Sequence, residues 1–139
     1  MSNTRRCLIV VGTRPAAIKL APVIIAMKKS CDFDPVVVAT AQHREMLDQA
    51  LEFLDIRPDY DLNDLRPQQS LSSFVSRVLL GLEPVLSEEK PDWVIVQGDT
   101  TTAFVGALSG FYARVPVAHV EAGLRTSSIN SPFPGEANR

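Results

Sequence analysis

Apolar residues in this chain fall into short runs, each ending in a polar corner and followed by a helical pattern. Residues 7–11, CLIVV, are almost continuously apolar, as suits a strand buried on both faces of a parallel sheet, and they stop at Gly12-Thr13-Arg14-Pro15. A helix is expected over 15–29, with Ile18, Ala21 and Ile25 on one line and Leu20, Ile24 and Met27 on another. Pro22 removes a backbone donor and crowds the preceding turn, so either a short first turn precedes the main helix or the helix kinks there. A second strand is expected over 35–40, then the corner AQHR and a helix over 45–54 with Met46, Leu47, Ala50 and Leu54 on one side. Residues 55–69 hold Pro58, Pro67 and several Asp and Asn; they read as a loop with at most a short strand at 60–62. Ser70 is the expected N-cap of the most regular helix, where Leu71, Phe74, Val75, Val78, Leu79, Leu82 and Leu86 recur at helical spacing and Pro84 bends the last turn. A strand at 93–96 leads through GDTTT into another helix, and a strand at 115–120 runs into HVEAGLRT. Residues 126–134 read as a loop and 135–139 as the opening of a helix.

Strands alternating with helices predict an α/β fold, a Rossmann-like parallel sheet with right-handed crossovers and helices on both faces. GTRP, AQHR, GDTTT and HVEAG each follow a strand, so all four gather at the carboxyl edge of the sheet, where open α/β sheets bind ligands. A chain of 139 residues suits one domain. With 14 basic and 16 acidic residues and no basic block beyond Arg5-Arg6, nucleic acid is not an expected partner; a small molecule or a protein is. No apolar run approaches the ~20 residues that span a bilayer, so no membrane role is expected. The first apolar run ends in GTRP and not in a cleavage site, which reads as a strand of a cytoplasmic protein. Cys7 and Cys31 have no metal-ligand spacing and are too few for a disulfide scaffold.

Gly12, Arg14 and Lys19 suggest anion binding, because a glycine corner ahead of a helix start leaves backbone N–H groups free; the plainer reading is a turn with a solvated arginine. Neither GxGxxG nor GxxxxGK[ST] occurs, which disfavours those nucleotide sites. Gln42, His43 and Arg44 fit either a substrate-binding trio or a polar helix start. His119 reads as a structural histidine. Asp99 would by itself be only a helix cap. Glu121, closing an apolar strand, has no capping role and is expected to be partly buried. Burial raises a carboxyl pKa while a neighbouring Arg125 lowers it, so two such carboxyls can divide into an acid and a base.

Five segments, GTRPAAIKLAP (12–22), QHREMLDQAL (42–51), GDTTT (98–102), HVEAGLRT (119–126) and PFPGEANR (132–139), together resemble the bacterial non-hydrolysing UDP-N-acetylglucosamine 2-epimerases, in family order. The resemblance implies a glycosyltransferase-B-like enzyme of two Rossmann-like domains with its site in the cleft between them; this chain, 1–139, covers most of the first domain only, without the second nucleotide-binding domain. It implies interconversion of UDP-N-acetylglucosamine and UDP-N-acetylmannosamine without NAD, metal or other cofactor, by elimination of UDP to a 2-acetamidoglucal and re-addition on the other face. A carboxylate must take the C2 proton as UDP departs, and a second must return one from the opposite side. Asp99 and Glu121 match two such family positions, and Arg14 and Lys19 match residues near the diphosphate, where cations stabilise the leaving group.

The chain departs from the family at two places. Ala16 replaces the Glu of GTRPEAIK, and Gly135-Glu136 stands where the family reads PEEANR, so glycine takes the place of a third acid/base carboxylate. Glu136 substitutes for it only if the loop shifts by one residue. The expectation is therefore an epimerase fragment with little or no turnover alone. The rival readings are a non-catalytic binding module, and a hydrolysing relative or glycosyltransferase acting on the same nucleotide sugar. A cleft face that normally meets a second domain would be an apolar patch inviting self-association as a homodimer.

Overall fold

The computed structural model describes residues 3–40, 42–62 and 69–139. Five strands, β1 (Arg5–Val11), β2 (Phe33–Ala39), β3 (Tyr60–Asp61), β4 (Trp93–Gln97) and β5 (Val117–Val120), form one sheet in the order β3-β2-β1-β4-β5. Every pairing is parallel. The helices are α1 (Arg14–Lys29), α2 (Arg44–Phe53), α3 (Leu71–Glu89) and α4 (Thr101–Tyr112), and a 3-10 turn spans Gly135–Asn138.

Alternation along the central strands builds two cores. Cys7, Ile9 and Val11 of β1 pack with Leu20 and Ile24 of α1 and Leu47 and Leu51 of α2. Leu8 and Val10 face the other way, onto Phe74, Val78 and Leu82 of α3 and Ala103 and Val105 of α4. This is the doubly wound, Rossmann-like arrangement expected. The strand order reverses between β1 and β4, so the crevice of the fold lies at their carboxyl ends.

The elements differ from expectation mainly at their ends. β1 begins at Arg5, in register with Phe33, because Arg6 is paired with Asp34 at 2.8 Å and Glu89 at 2.9 Å. β5 begins at Val117, since the Val115 amide is taken by the Gly110 carbonyl at 2.9 Å in the turn leaving α4. Helix α1 runs unbroken through Pro22, and α3 continues past Pro84 to Glu89; both prolines are on exposed positions, where water can satisfy the freed carbonyl. Ile18 and Met46, expected on core lines, are each 50% exposed. The loop expected over 55–69 falls partly on 63–68, outside the described residues, as does Ala41 of the AQHR corner. Among the described residues no helix is long and apolar enough to cross a membrane.

Candidate functional site

The corner after β1 is shaped by close approach. Gly12 is buried against Thr40 and Thr102: a methyl group there would lie 2.5 Å from Thr40 Oγ1 and 2.0 Å from Thr102 Oγ1. Thr13 then caps α1 by accepting from the Ala16 amide at 3.4 Å. Arg14 and Lys19, five residues apart, are about 140° apart around a helix. The structure separates them accordingly. Arg14 lines a groove with Ile18 of α1 and Gln49, Ala50 and Phe53 of α2, whereas Lys19 reaches Glu121 at 2.5 Å.

Glu121 sits at the carboxyl end of β5 in the left-handed region, with φ of 57°. A non-glycine residue there is uncommon, and it marks a position held by its surroundings. Its Oε2 accepts from Lys19 Nζ and also from Gln97 Nε2 at 3.3 Å. The partial burial expected for Glu121 is slight: its side chain is 36% exposed, because β5 is the outer strand of the sheet. Its cation is Lys19 and not Arg125, whose guanidinium donates to the carbonyls of Ala122 and Leu124 in its own loop.

Asp99 stands two residues beyond Gln97, which pairs with Val120, so Asp99 and Glu121 share one edge on neighbouring strands. Asp99 is not the cap of α4; Thr100 is, accepting from the Ala103 amide at 3.1 Å. The Asp99 carboxylate instead faces Arg139, with Oδ2 and NH2 3.3 Å apart, and Asn138 Nδ2 donates to the Asp99 carbonyl at 3.0 Å. Arg139 is only 6% exposed in its side chain. Sequence reasoning passed over Arg139, Asn138 and Gln97; the polar end of an otherwise apolar strand was the available signal for Gln97.

The positions at 135 and 136 are clearly separated in role. A methyl on Gly135 would lie 2.8 Å from Asp99 Oδ2, so Gly135 is the residue beside that carboxylate. Glu136 is engaged elsewhere, accepting from the Thr126 amide at 3.1 Å and the Thr126 hydroxyl at 3.2 Å, and standing 3.1 Å from Arg139 NH1. Glu136 thus folds the 126–134 loop back onto the final turn.

Of the AQHR trio, Gln42 joins the crevice through Thr102, accepting at Oε1 from its amide at 3.2 Å and its hydroxyl at 2.8 Å. His43 is the N-cap residue of α2 without a side-chain capping bond, and it is exposed. Arg44 binds Asp61 at 2.7 Å and Asp48 at 2.8 Å, tying α2 to β3; the hydrogen bond it donates to Asp61 is the main reason its pKa is raised. His119 Nε2 donates to the Gly98 carbonyl at 2.5 Å, a satisfied structural histidine. Among the described residues no group of three His, Cys, Asp or Glu is placed to hold a metal ion.

A family model described as UDP-N-acetylglucosamine 2-epimerase matches residues 25–139. The chain belongs to the UDP-N-acetylglucosamine 2-epimerase family. It is 55% identical over 134 residues to the UDP-N-acetylglucosamine 2-epimerases of Yersinia pestis and of Escherichia coli K12, covering 96% of this chain and 36% of each relative. The chain therefore spans about a third of the length of these curated relatives. Among solved structures, the S. aureus MnaA–UDP co-structure matches with a TM-score of 0.92 and 49% identity over 98% of this chain and 36% of that one. The Neisseria meningitidis UDP-GlcNAc 2-epimerase bound to UDP-GlcNAc matches with a TM-score of 0.89 and 51% identity, over 96% of this chain and 37% of that one. The crevice between β1 and β4 of this epimerase-family chain is thus part of a fold shared with proteins solved with UDP and with UDP-GlcNAc.

Proposed function

We propose that the chain forms the N-terminal domain of a two-domain, glycosyltransferase-B-like enzyme. That enzyme interconverts UDP-N-acetylglucosamine and UDP-N-acetylmannosamine by eliminating UDP and adding it back on the other face. The observation that carries this reading is the pair of carboxylates at the ends of neighbouring strands, each with its own cation: Asp99 with Arg139 and Glu121 with Lys19. One carboxylate takes the C2 proton as UDP departs, and the other supplies a proton on re-addition. Lys19 is placed to leave Glu121 for the more highly charged diphosphate, which stabilises the leaving group and frees Glu121 to act. Arg14, Gln42, His43 and Arg125 complete the substrate edge, Gly12 gives the backbone its close approach, and no cofactor takes part. The enzyme is a cytoplasmic one and self-associates as a homodimer.

The 139-residue chain alone is expected to turn over little or no substrate. The decisive experiment replaces the matched third of the E. coli relative with this chain and follows the conversion of UDP-N-acetylglucosamine by NMR in deuterated water. Epimerisation with deuterium entering at C2 supports the reading, and a folded chimera that forms neither product nor exchange at C2 overturns it. Release of free N-acetylmannosamine and UDP would instead assign a hydrolysing relative. Gly135 favours a second reading, a binding module without turnover, because it leaves Asp99 without a carboxylate beside it. Binding of UDP-N-acetylglucosamine by an inactive chimera would select that reading.

A further inference from the structure

Behind Gly12, Gln42 is tied to two buried threonines to which the reaction above gives no part. Thr40 at the end of β2 and Thr102 in the first turn of α4 are 4% and 2% exposed, and their hydroxyl oxygens stand 2.9 Å apart. The direction of each bond follows from donor chemistry. A carboxamide oxygen only accepts, so the Thr102 hydroxyl gives its proton to Gln42 Oε1, and Thr102 Oγ1 must accept from Thr40. The Thr102 amide donates to the same Oε1, so the opposite amide orientation would set Nε2 against a backbone N–H, which cannot accept. Gln42 is thereby held with Nε2 on the far side, and among the described residues neither of its hydrogens has a partner. The polar chain spans the carboxyl edge of the sheet from the end of β2, past β1, to the start of α4.

We propose that Thr102, itself held by a bond from Thr40, is a positioning residue that fixes Gln42 so that its Nε2 donates both hydrogens to an acceptor oxygen of the bound nucleotide sugar. The proposal rests on the reading of the crevice as a nucleotide-sugar site. A free glutamine side chain loses rotamer freedom on binding a ligand, and ordering it in advance removes that loss.

The test uses the full 139-residue chain labelled with nitrogen-15. The Gln42 side-chain amide resonance, assigned by its absence in Gln42→Ala, is expected away from the free-glutamine position. Thr102→Val should move it there, and Thr102→Ser should restore it. In titrations of the chimera with UDP-N-acetylglucosamine, Thr102→Val and Gln42→Ala should each weaken binding about three- to tenfold, the range of one hydrogen bond. The double variant should bind no more weakly than Gln42→Ala, because the threonine acts only through the glutamine. An amide resonance unmoved by Thr102→Val, or losses that multiply in the double variant, would overturn the proposal. If the unsubstituted chimera does not respond to UDP-N-acetylglucosamine, the nucleotide-sugar reading fails, and the amide resonance of the 139-residue chain by itself still decides whether Thr102 holds Gln42. Should Thr102→Val not fold, the smaller Thr102→Ala makes the same comparison.

Discussion

Gly12→Ala tests the packing of the crevice most directly. The added methyl would stand 2.0 Å from Thr102 Oγ1, 2.5 Å from Thr40 Oγ1 and 2.8 Å from Thr102 Cβ. Restoring ordinary contact requires the Thr102 hydroxyl to retreat by more than about 1 Å. Both threonines are buried on neighbouring elements, so the retreat breaks the Thr40–Thr102 and Thr102–Gln42 hydrogen bonds. Overpacking costs about 1–3 kcal/mol and each lost bond about 1 kcal/mol, a total of roughly 3–5 kcal/mol. For a chain of this length, 1 kcal/mol corresponds to roughly 3.5 °C in Tm, so the expected drop is about 10–18 °C. Two other glycines serve as controls in the same circular-dichroism melts. Among the described residues Gly98 has nothing within 4 Å but it has a φ of 73°, so Gly98→Ala should lower Tm by about 3–7 °C through backbone strain alone. Gly123 has neither a close neighbour among the described residues nor a positive φ, so Gly123→Ala should melt within about 2 °C of the wild type. A Gly12→Ala protein that melts no lower than Gly98→Ala would refute the packing argument.

Four further outcomes are expected. Tyr60 donates to Glu89 at 2.5 Å, a bond that raises its pKa above the ordinary value near 10; ultraviolet titration should show one tyrosine ionising late, and Glu89→Gln should bring it back down. Because the folded value is the higher one, this group's stabilising contribution is complete below about pH 10 and is lost as pH rises above that, which pH-dependent melts can read. Leu82, fully buried under the sheet, should cost about 2–5 kcal/mol on Leu82→Ala in urea unfolding. Burial raises the Cys7 thiol pKa while Cys31 is exposed, so a thiol reagent should modify one cysteine in the native chain and two after unfolding. In the chimera, Gly135→Glu should raise epimerase turnover, with unchanged turnover counting against a missing carboxylate beside Asp99.

The order and type of the elements were legible because each rests on local patterning: the unbroken apolar run of a doubly covered strand, the Ser70 cap, the helical recurrence from Leu71 to Leu86. Their limits were not, because partners distant in sequence decide them. Arg5 and Arg6 look like a charged lead-in until Asp34, Glu89 and Asp92 are brought alongside. Ile18 and Met46 look like core residues until the neighbouring helices choose which face to cover. The candidate site follows the same division. That Asp99 and Glu121 share an edge was readable from two strand ends, but which cation each one meets was not. Lys19 and Glu121 are 102 residues apart, and Asp99 meets Arg139 across 40.

That choice of cations sets the two carboxylates apart. The Lys19–Glu121 pair is more than a third exposed on both sides, and such pairs hold by only about 0.2–1 kcal/mol, so a diphosphate can draw Lys19 away at little cost. Arg139 is nearly buried, is fixed against both Asp99 and Glu136, and sits beside the Asn138 that holds the Asp99 backbone. Nothing comparable is available to a ligand without unpacking the final turn. On the proposed reading, then, Glu121 is the carboxylate whose surroundings change as substrate arrives, while Asp99 keeps its partner throughout. The difference between acid and base would arise when the diphosphate binds, and not from the burial of Glu121 that the strand-end pattern suggested.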